Sequence, residues 1–465
     1  MSRGNRDQHR SPVNAGQYVD PEPEVLARAG WSGSSANAET MARSQGVSLW
    51  EDVFSRENLL AALKRVEANR GTAGVDGLET HELRGWIREH WSVTWERLDA
   101  GTYRPLPVRE VMIPKPDGGE RMLGVPSVLD RLIQQAIAQV LSPIFDEGFV
   151  PVSYGFRPGK SAHQAVGVAR TVIEQGYRWV VEVDLDAFFD RVNHDVLMAR
   201  VARKVKDKKL LRLIRAYLEA GIMSAGVHRA TSEGTPQGSP LSPLLSNIML
   251  DDFDQEFWRR GHRFVRYADD IRVFVRSKRA AGRVLEQAVK VLEGRLRLRV
   301  NRGKSVINPA NVATLLGFGF YFTARGVKVR VAPKALKRLK ARIRVLTSRR
   351  WSVSMAYRIT VLNRFVRGWM GYFRLAETPR KFADLDEWFR RRMRQIRWKE
   401  WKRPRTRVRM LRSLGIRADL AYQWGMSSRA YWRIAGSVVL QRALPNSYWD
   451  GQGLLVFRRA WGLFQ

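Results

Sequence analysis

Cysteine is absent from the sequence of 465 residues. The protein therefore forms no disulfide bonds and binds no zinc through thiolates, which fits a reducing compartment such as the cytosol. No run of about 18 apolar residues and no apolar signal segment is present, so the sequence predicts no membrane-spanning helix. We expect a cytoplasmic protein with no membrane partner, which associates with the nucleoid if it binds DNA.

Acidic residues are scarce relative to basic ones. The chain has 45 Asp and Glu against 81 Lys and Arg, which gives a net charge of +36. A surface this basic predicts a polyanionic partner, and nucleic acid is the leading candidate, with a membrane surface as the weaker alternative. The apolar fraction of 44% is ordinary for a globular protein, and the length suits two or three domains.

Two of the few acidic residues stand side by side within residues 264–275. Apolar residues alternate on both sides of Asp269 and Asp270, which predicts two half-buried strands that turn back at residues 268–270. Aspartate is common in exposed turns, so a plain turn is one interpretation. Apolar strands imply burial instead, and two adjacent buried carboxylates need a compensating cation such as Mg²⁺.

A second apolar strand, residues 179–183, leads into Asp184. If this strand pairs with the hairpin, Asp184, Asp269 and Asp270 converge in one sheet. Two divalent ions held by such carboxylates carry out in-line phosphoryl transfer, because one activates the attacking hydroxyl and the other neutralises the leaving group. We therefore predict a site for two Mg²⁺ ions, with Mn²⁺ as a substitute.

Two further segments are candidates for substrate contacts. Residues 108–125 predict a hairpin with Lys115 and Arg121 on opposite arms, which either grip one triphosphate or are solvated surface cations. Residues 234–247 predict a loop that opens a helix. The free N–H groups at such a helix start suit a nucleotide or template strand, and a capped helix start is the alternative.

The composition changes from about residue 325 onward. Residues 325–410 hold 28 Lys and Arg against 5 Asp and Glu, with apolar residues at helical spacing and tryptophans between them. One such helix is typical of a solvated basic face, whereas several in succession favour a nucleic-acid-binding helical bundle. The positions that we expect to bind RNA are Lys337, Lys340, Arg344, Arg391, Arg394, Lys402 and Arg403.

The ordered motifs resemble those of reverse transcriptases. Tyr267-Ala268-Asp269-Asp270 resembles their Y-x-D-D box, and Asp184 with Phe188-Phe189 resembles their first acidic motif. Gln237-Gly238-Ser239-Pro240 resembles their motif that contacts template and nucleotide. The order and spacing of these motifs are those of a right-hand polymerase.

Within that class, residues 48–455 resemble a bacterial group II intron reverse transcriptase/maturase. The features that carry this resemblance are residues 71–77, residues 113–126, Tyr154-Gly155-Phe156-Arg157-Pro158 and the basic segment 368–404. The resemblance implies an α+β fold, with mostly helical fingers, an antiparallel palm sheet and a helical thumb. We expect a disordered segment at 1–47, fingers and palm at 48–325, and a basic thumb/X (maturase) domain with a tail at 326–465.

The resemblance also implies the activity and the partners. The chain would be an RNA-directed DNA polymerase, which extends a DNA primer 3′-hydroxyl on an RNA template with dNTPs. It would also bind a structured intron RNA and assist its splicing, and a DNA target is a further expected partner.

The site roles are carried over by motif position. Asp184, Asp269 and Asp270 are the implied catalytic carboxylates and metal ligands, with Asp184 and Asp269 favoured over Asp270 as direct ligands. The resemblance also implies that the Leu185 carbonyl binds a metal ion and that Phe189 excludes a ribose 2′-hydroxyl. It implies that Lys115 and Arg121 bind the triphosphate, and that Gln237 and Gly238 contact the nucleotide or the template. Asp186, off the expected metal-facing register, and Asp190, beyond the strand, are expected not to be ligands.

Many relatives also carry an HNH endonuclease domain with cysteine pairs, which this cysteine-free chain lacks. We therefore expect no cleavage of target DNA by this polypeptide, and a cDNA primer from elsewhere, such as a replication fork. Two other functions remain open. One is an RNA-binding splicing maturase with a vestigial polymerase, and the other is a reverse transcriptase repurposed by the host, for example in phage defence.

Overall fold

The computed structural model of the protein describes residues 48–114, 119–224, 227–229, 233–235 and 237–465. The segment 1–47, predicted to be disordered, and Lys115 lie outside the described residues.

Side chains cap several of the first helices. Ser55 separates the helices Leu49–Phe54 and Arg56–Asn69, and it caps the second by accepting a hydrogen bond from the N–H of Asn58. The Asp207 side chain caps the helix that begins at Lys208. The helices up to residue 259 are α1 (Leu49–Phe54), α2 (Arg56–Asn69), α3 (Leu83–Asp99), α4 (Val128–Asp146), α5 (Ala162–Glu174), α6 (His194–Lys204), α7 (Lys208–Glu219) and α8 (Ser242–Arg259).

A central antiparallel sheet carries both acidic motifs. Its strands are β3 (Trp179–Val183), β6 (Arg263–Tyr267), β7 (Asp270–Val275) and β8 (Val306–Pro309), in the order β6-β7-β3-β8. The predicted hairpin is confirmed, since Tyr267 pairs with Asp270 across a two-residue turn. The pairing of β3 with this hairpin is also confirmed. The sequence did not predict β8.

The central sheet is covered on both faces, so the prediction of half-buried strands is wrong for β6. Phe264, Val265 and Arg266 are all buried in succession. One face packs against the core formed with α1–α4 and α6–α8, and the other against a second core that includes α5 and the C-terminal helices. Strands with two covered faces lose the alternating pattern of a half-buried strand.

Two smaller sheets flank the central one within the described residues. The predicted hairpin of β1 (Val108–Pro114) and β2 (Glu120–Val125) is confirmed, and it extends through β4 (Ile222–Ser224) and β5 (Val227–Arg229) in the order β2-β1-β4-β5. Strands β4 and β5 are too short to show a period in the sequence. The other sheet contains β9 (Thr314–Leu315), β10 (Phe318–Thr323) and β11 (Gly326–Val331).

The C-terminal part is helical, as predicted. Helix α9 (Lys278–Val289) ends in a π-helical turn, Lys290–Arg295. The later helices are α10 (Pro333–Leu346), α11 (Met355–Tyr372), α12 (Pro379–Glu400), α13 (Pro404–Ser413), α14 (Ala418–Gly425), α15 (Tyr431–Ala435), α16 (Val438–Ala443), α17 (Asn446–Gly451) and α18 (Phe457–Gly462). The second core joins residues before and after the predicted domain boundary at 325, which stays a prediction. None of the described helices combines the length and apolar character that a membrane crossing requires.

Candidate active site

Asp184 follows β3 directly and is fixed through its backbone. Its N–H donates to the Ser305 hydroxyl at 3.1 Å, and its carbonyl accepts from the N–H of Asn301 at 2.8 Å. Val183 pairs with Ile271 across the sheet, so the next step of the antiparallel register places Asp184 opposite Asp270. The register of the central sheet therefore brings the two acidic motifs together.

Asp269 occupies the turn between β6 and β7. Burial raises the pKa of the Asp269 carboxyl, and the charge of Asp184 raises it further. Two carboxylates that hinder each other's ionisation form a donor set that a divalent cation would stabilise.

Asp270 has a cationic partner within the chain. It forms an ion pair with Arg272, whose guanidinium also lies 3.2 Å from Glu182 and donates to the Thr314 carbonyl at 3.0 Å. Burial raises the pKa of Asp270, and Arg272 opposes that rise. The structure therefore does not bring together three equivalent free carboxylates.

The described residues contain no group of three acidic or histidine side chains arranged to hold a metal ion. The donor set that fits a hard cation is smaller, namely the carboxylates of Asp184 and Asp269 with the Leu185 carbonyl. Leu185 pairs with Val300 in a bridge whose two hydrogen bonds are made by its neighbours Asp184 and Asp186, so the Leu185 carbonyl points away from that segment.

Asp186 is neutralised by arginines rather than turned toward the acidic pair. Its carboxylate lies 3.4 Å from Arg191 and 3.8 Å from Arg299. The register argument against Asp186 was wrong, because residues two apart share one face of a strand. The chain instead leaves the strand geometry here, with a turn at residues 186–187 and a left-handed Ala187 at φ 47°.

Phe189 lies in a short 3₁₀ turn, Phe188–Asp190. Phe188 is buried, and its ring centroid is 5.1 Å from that of the half-buried Phe189. The N–H of Thr235 donates to the Phe189 carbonyl at 2.6 Å. This contact brings the start of the predicted nucleotide loop to the residue expected to exclude the 2′-hydroxyl.

Gln237 and Gly238 lie against β2. The N–H of Gly124 donates to the Gln237 carbonyl at 2.9 Å, and a Cβ on Gly238 would lie 2.9 Å from the Gly124 carbonyl oxygen. Gly238 has φ 115°, so this close approach requires glycine. Arg121 lies on β2 opposite Ile113, and its contact with a triphosphate stays a prediction.

Sequence reasoning missed Arg266, which lies beneath the turn. Its side chain is fully buried and donates to Asp254, to Asn247 and to the Ala268 carbonyl. A signal was present in the sequence, because Arg266 shares a strand face with Phe264 by the period of two. A charged residue on an apolar face implies a buried partner.

Sequence reasoning also missed Tyr372, at the end of α11. Burial raises the pKa of its phenol, and the nearby Tyr267 and Asp270 raise it further. The carbonyl of Tyr372 lies 2.6 Å from Nε2 of His163 on α5. The C-terminal helices therefore reach the acidic turn, a contact that no local pattern indicates.

The predicted RNA-binding positions fall into three groups. Lys337, Lys402 and Arg403 are exposed. Lys340 and Arg344 each lie 5.8 Å from the ring centroid of Trp388 on α12. The remaining two are engaged by the protein itself.

The prediction that Arg394 contacts RNA is wrong. It is buried, its Nε donates to the Ala435 carbonyl at 3.0 Å, and burial lowers its pKa to about 10. Arg391 lies 4.2 Å from the Trp432 ring centroid and donates to the Trp432 carbonyl at 3.0 Å. Trp398 and Trp401 are also buried, so they belong to the core rather than to a base-stacking surface.

Residues 113–320 match the family described as reverse transcriptase (RNA-dependent DNA polymerase), and residues 336–415 match the group II intron maturase-specific domain. The chain is 35% identical to protein YkfC of Escherichia coli K12, over 52% of this chain and 73% of that protein. It is 33% identical to the group II intron-encoded protein LtrA of Lactococcus lactis, over 51% of this chain but only 39% of that protein.

A similar solved structure is a chain of a partial Cas6-RT-Cas1–Cas2 complex. The identity is 27%, the match covers 53% of this chain and 43% of that chain, and the TM-score is 0.36. At that score we draw no comparison of architecture.

Proposed function

The chain belongs to the group II intron reverse transcriptase and maturase family, and we propose from this that it copies RNA into DNA and binds an intron RNA to assist its splicing. The membership confirms the predicted family and the α+β right-hand polymerase fold. The activity, its substrates and its partners are the proposal, because the chain spans less than half of LtrA.

One observation carries the polymerase proposal. The register of β3 and β7 puts Asp184 opposite Asp270, and Asp269 lies in the turn that directly precedes β7. These acids are half-buried in a strongly basic protein, where a purely RNA-binding surface has no use for them. A polymerase needs such a pair to hold divalent ions at the primer end.

The proposed role of each site residue follows from its position in the fold. Asp184 and Asp269, with the Leu185 carbonyl, would hold Mg²⁺, which when bound supplies activation of the primer 3′-hydroxyl and charge for the pyrophosphate. Phe189 would stand against C2′ of the incoming sugar and exclude an NTP. Gln237 and Gly238 would contact the nucleotide and template from their own loop, which lies in space between Phe189 and β2.

The RNA surface would lie on the exposed faces of α10 and α13. Lys337, Arg338 and Arg342 are exposed on α10, and Arg405, Arg409 and Arg412 are exposed on α13. Exposed Tyr422 on α14 packs beside α13 and offers a ring for base stacking. Affinity for RNA should weaken steeply as salt rises, because bound cations release the counterions of the phosphates.

Primer extension on an RNA template with dNTPs and Mg²⁺ tests the proposal. Wild type should extend the primer, and Asp269→Ala should extend none while it binds RNA as tightly as wild type. Asp384→Ala, which removes an exposed carboxylate on α12, is the matched control and should retain activity. Extension by Asp269→Ala would refute the assignment of this site.

The ion pair between Asp270 and Arg272 favours one second candidate, a splicing maturase that no longer polymerises. In that protein Arg272, rather than a metal ion, would compensate the acids. Tight RNA binding and assisted splicing, without primer extension by wild type, would select this candidate. A search for intron RNA domains beside the gene would separate both from a host-repurposed reverse transcriptase.

A further inference from the structure

We propose that Arg266, held by Asp254 and Asn247, is a positioning residue that aims Asp269 at the catalytic metal site. The inference rests on the proposed polymerase function. Its central feature is a buried ion pair directly beneath the turn that carries Asp269. Neither Arg266 nor Asp254 belongs to the acidic motifs from which the site was assigned.

The guanidinium of Arg266 donates hydrogen bonds from both of its sides. Nε lies 2.9 and 2.8 Å from the two carboxylate oxygens of Asp254, and both side chains are entirely buried. Nη1 donates to the Asn247 side-chain oxygen at 2.9 Å and to the Ala268 carbonyl at 2.9 Å. Asp254 on α8 therefore fixes the orientation of the Arg266 guanidinium. Nη1 of that guanidinium in turn holds the turn through the Ala268 carbonyl.

The turn is enclosed from its other side by residues 152–155. Asn247 donates from Nδ2 to the Gly155 carbonyl at 2.9 Å, and a Cβ on Gly155 would lie only 2.2 Å from the Ala268 nitrogen. The backbone of Arg266 also exchanges hydrogen bonds with Val152 and Tyr154, at 3.1 and 2.8 Å. Ala268 is therefore clamped between a glycine and an arginine.

The conformation of the turn explains why a clamp is needed. Ala268 has φ 57°, a left-handed conformation that is unfavourable for an L-residue. Such a conformation persists only where the surroundings determine it from several sides. Release of the Ala268 carbonyl would let the turn relax, and the direction of the adjacent Asp269 carboxylate would change with it.

Stability alone does not account for a charged clamp. Buried ion pairs are often no more stabilising than well-packed apolar side chains of similar volume, because both charges must be desolvated. An apolar pair, however, provides no donor for the Ala268 carbonyl. The specific contribution of Arg266 is a directed hydrogen bond, and its loss should affect metal binding and turnover more than folding.

The decisive variant is the double substitution Arg266→Met with Asp254→Leu, which removes both charges and leaves no unpaired one. We expect it to fold and to bind RNA like wild type. We expect about 10–100-fold weaker Mn²⁺ binding by electron paramagnetic resonance, a similar fall in kcat, and little change in the KM for dNTP. The Mg²⁺ concentration for half-maximal extension should rise in parallel.

Arg358→Met is the matched control. Arg358 is also buried and donates to the carbonyls of Leu346 and Trp351, far along the chain from the acidic motifs. Its loss should lower the unfolding temperature and leave Mn²⁺ binding unchanged. If the double variant fails to fold, Asn247→Leu removes one support of the clamp and should weaken Mn²⁺ binding in the same direction.

Two outcomes separate this inference from the proposed function. Wild-type Mn²⁺ affinity and kcat in a folded double variant would overturn the inference and leave the polymerase proposal intact. Absence of extension by wild type would overturn the polymerase proposal, whereas the Mn²⁺ titration would still report whether Arg266 positions Asp269.

Discussion

Charge lies in opposite environments around the acidic turn of the central sheet and on the exposed faces of α10 and α13. Around the acidic turn, Arg266 and Asp254 are fully buried and bonded to each other. Lys337 on α10 and Arg405 on α13 are exposed to solvent. The same residue types therefore serve as fixed internal supports in one region and as open cations in the other.

This difference has energetic consequences. Removing one partner of a buried ion pair typically costs about 3–5 kcal/mol, whereas an exposed pair contributes about 0–1 kcal/mol. Changes around the turn should therefore alter stability and catalysis. Changes on the exposed faces of α10 and α13 should alter RNA affinity and its salt dependence, and leave the fold intact.

The largest effect should follow from Gly155→Ala. The added Cβ would collide with the Ala268 nitrogen, so the turn or residues 152–155 must move. We expect a loss of about 1–3 kcal/mol of stability from overpacking. A displacement of about 1 Å at a reacting group can cost about a hundredfold in rate, and primer extension should fall on that order.

Gly85→Ala is the control for this substitution. Gly85 lies in α3, and a Cβ there meets no neighbouring atom within 4 Å. The variant should gain about 0.5–1 kcal/mol, because alanine favours the helix more than glycine does. Equal primer extension by Gly155→Ala and wild type would show that the turn tolerates displacement.

The second effect concerns the exposed cations of α13. Replacing Arg405, Arg409 and Arg412 together by Gln should weaken RNA binding, with thermal stability unchanged. If each arginine contacts one phosphate, the slope of log affinity against log salt should decrease by about 2. Affinity measurements at several salt concentrations give this slope.

The control for the triple variant removes equal charge elsewhere. Arg56 and Lys64 are exposed on α2 and Arg88 is exposed on α3, and the triple replacement of these residues by Gln gives the same net charge. An equal decrease in both variants would mean that RNA affinity depends on total charge rather than on the C-terminal surface.

A third, smaller effect is the pH dependence of Asp386. This carboxylate on α12 accepts the N–H groups of Phe457 and Arg458 at 2.6 and 3.1 Å, and burial raises its pKa to about 6. Because the native state holds the proton more tightly than the unfolded state, stability should rise as pH falls from about 7 to 4. The gain should be about 1–3 kcal/mol.

Thermal unfolding of wild type and Asp386→Asn between pH 4.5 and 7.5 measures this contribution. The variant cannot titrate at this position, so the wild type should become more stable relative to it as the pH falls. A difference between the two proteins that stays constant over this range would contradict the raised pKa.

The smallest effect should come from the exposed ion pair between Lys381 and Asp384 on α12. The two groups are 3.4 Å apart, and both side chains are more than two-thirds exposed. Lys381→Ala should change the free energy of unfolding by less than about 0.5 kcal/mol in denaturant titrations. A larger loss would show that exposed charges on these helices also support the fold.

Local patterns were sufficient to predict several elements. Alternating apolar residues predicted the hairpin of β6 and β7, and the pattern of residues 108–125 predicted the hairpin of β1 and β2. Both signals are short in range, because a turn and its flanking strands lie together in the chain. Strand β8 was missed because its four residues are recognisable as a strand only beside β3.

The candidate site residues also divide into those that local patterns predict and those that only the fold brings to the site. The acids Asp184, Asp269 and Asp270 could be singled out because acidic residues at the ends of apolar strands are conspicuous in so basic a chain. The partners of these acids could not, because Arg272 joins Glu182 across two strands and Tyr372 arrives from a helix about a hundred residues later.

The amino-acid sequence by itself determined the basic character, the acidic strand ends and the amphipathic C-terminal helices. Only the tertiary structure decided which charges are buried. Arg394 and Lys337 look alike in the sequence, yet the first donates to the Ala435 carbonyl and the second is exposed. The strand face of Arg266 indicated a buried partner, but only the fold identified that partner as Asp254. The free energy of a charge depends on its desolvation and its partners, and both are supplied by elements distant in the chain.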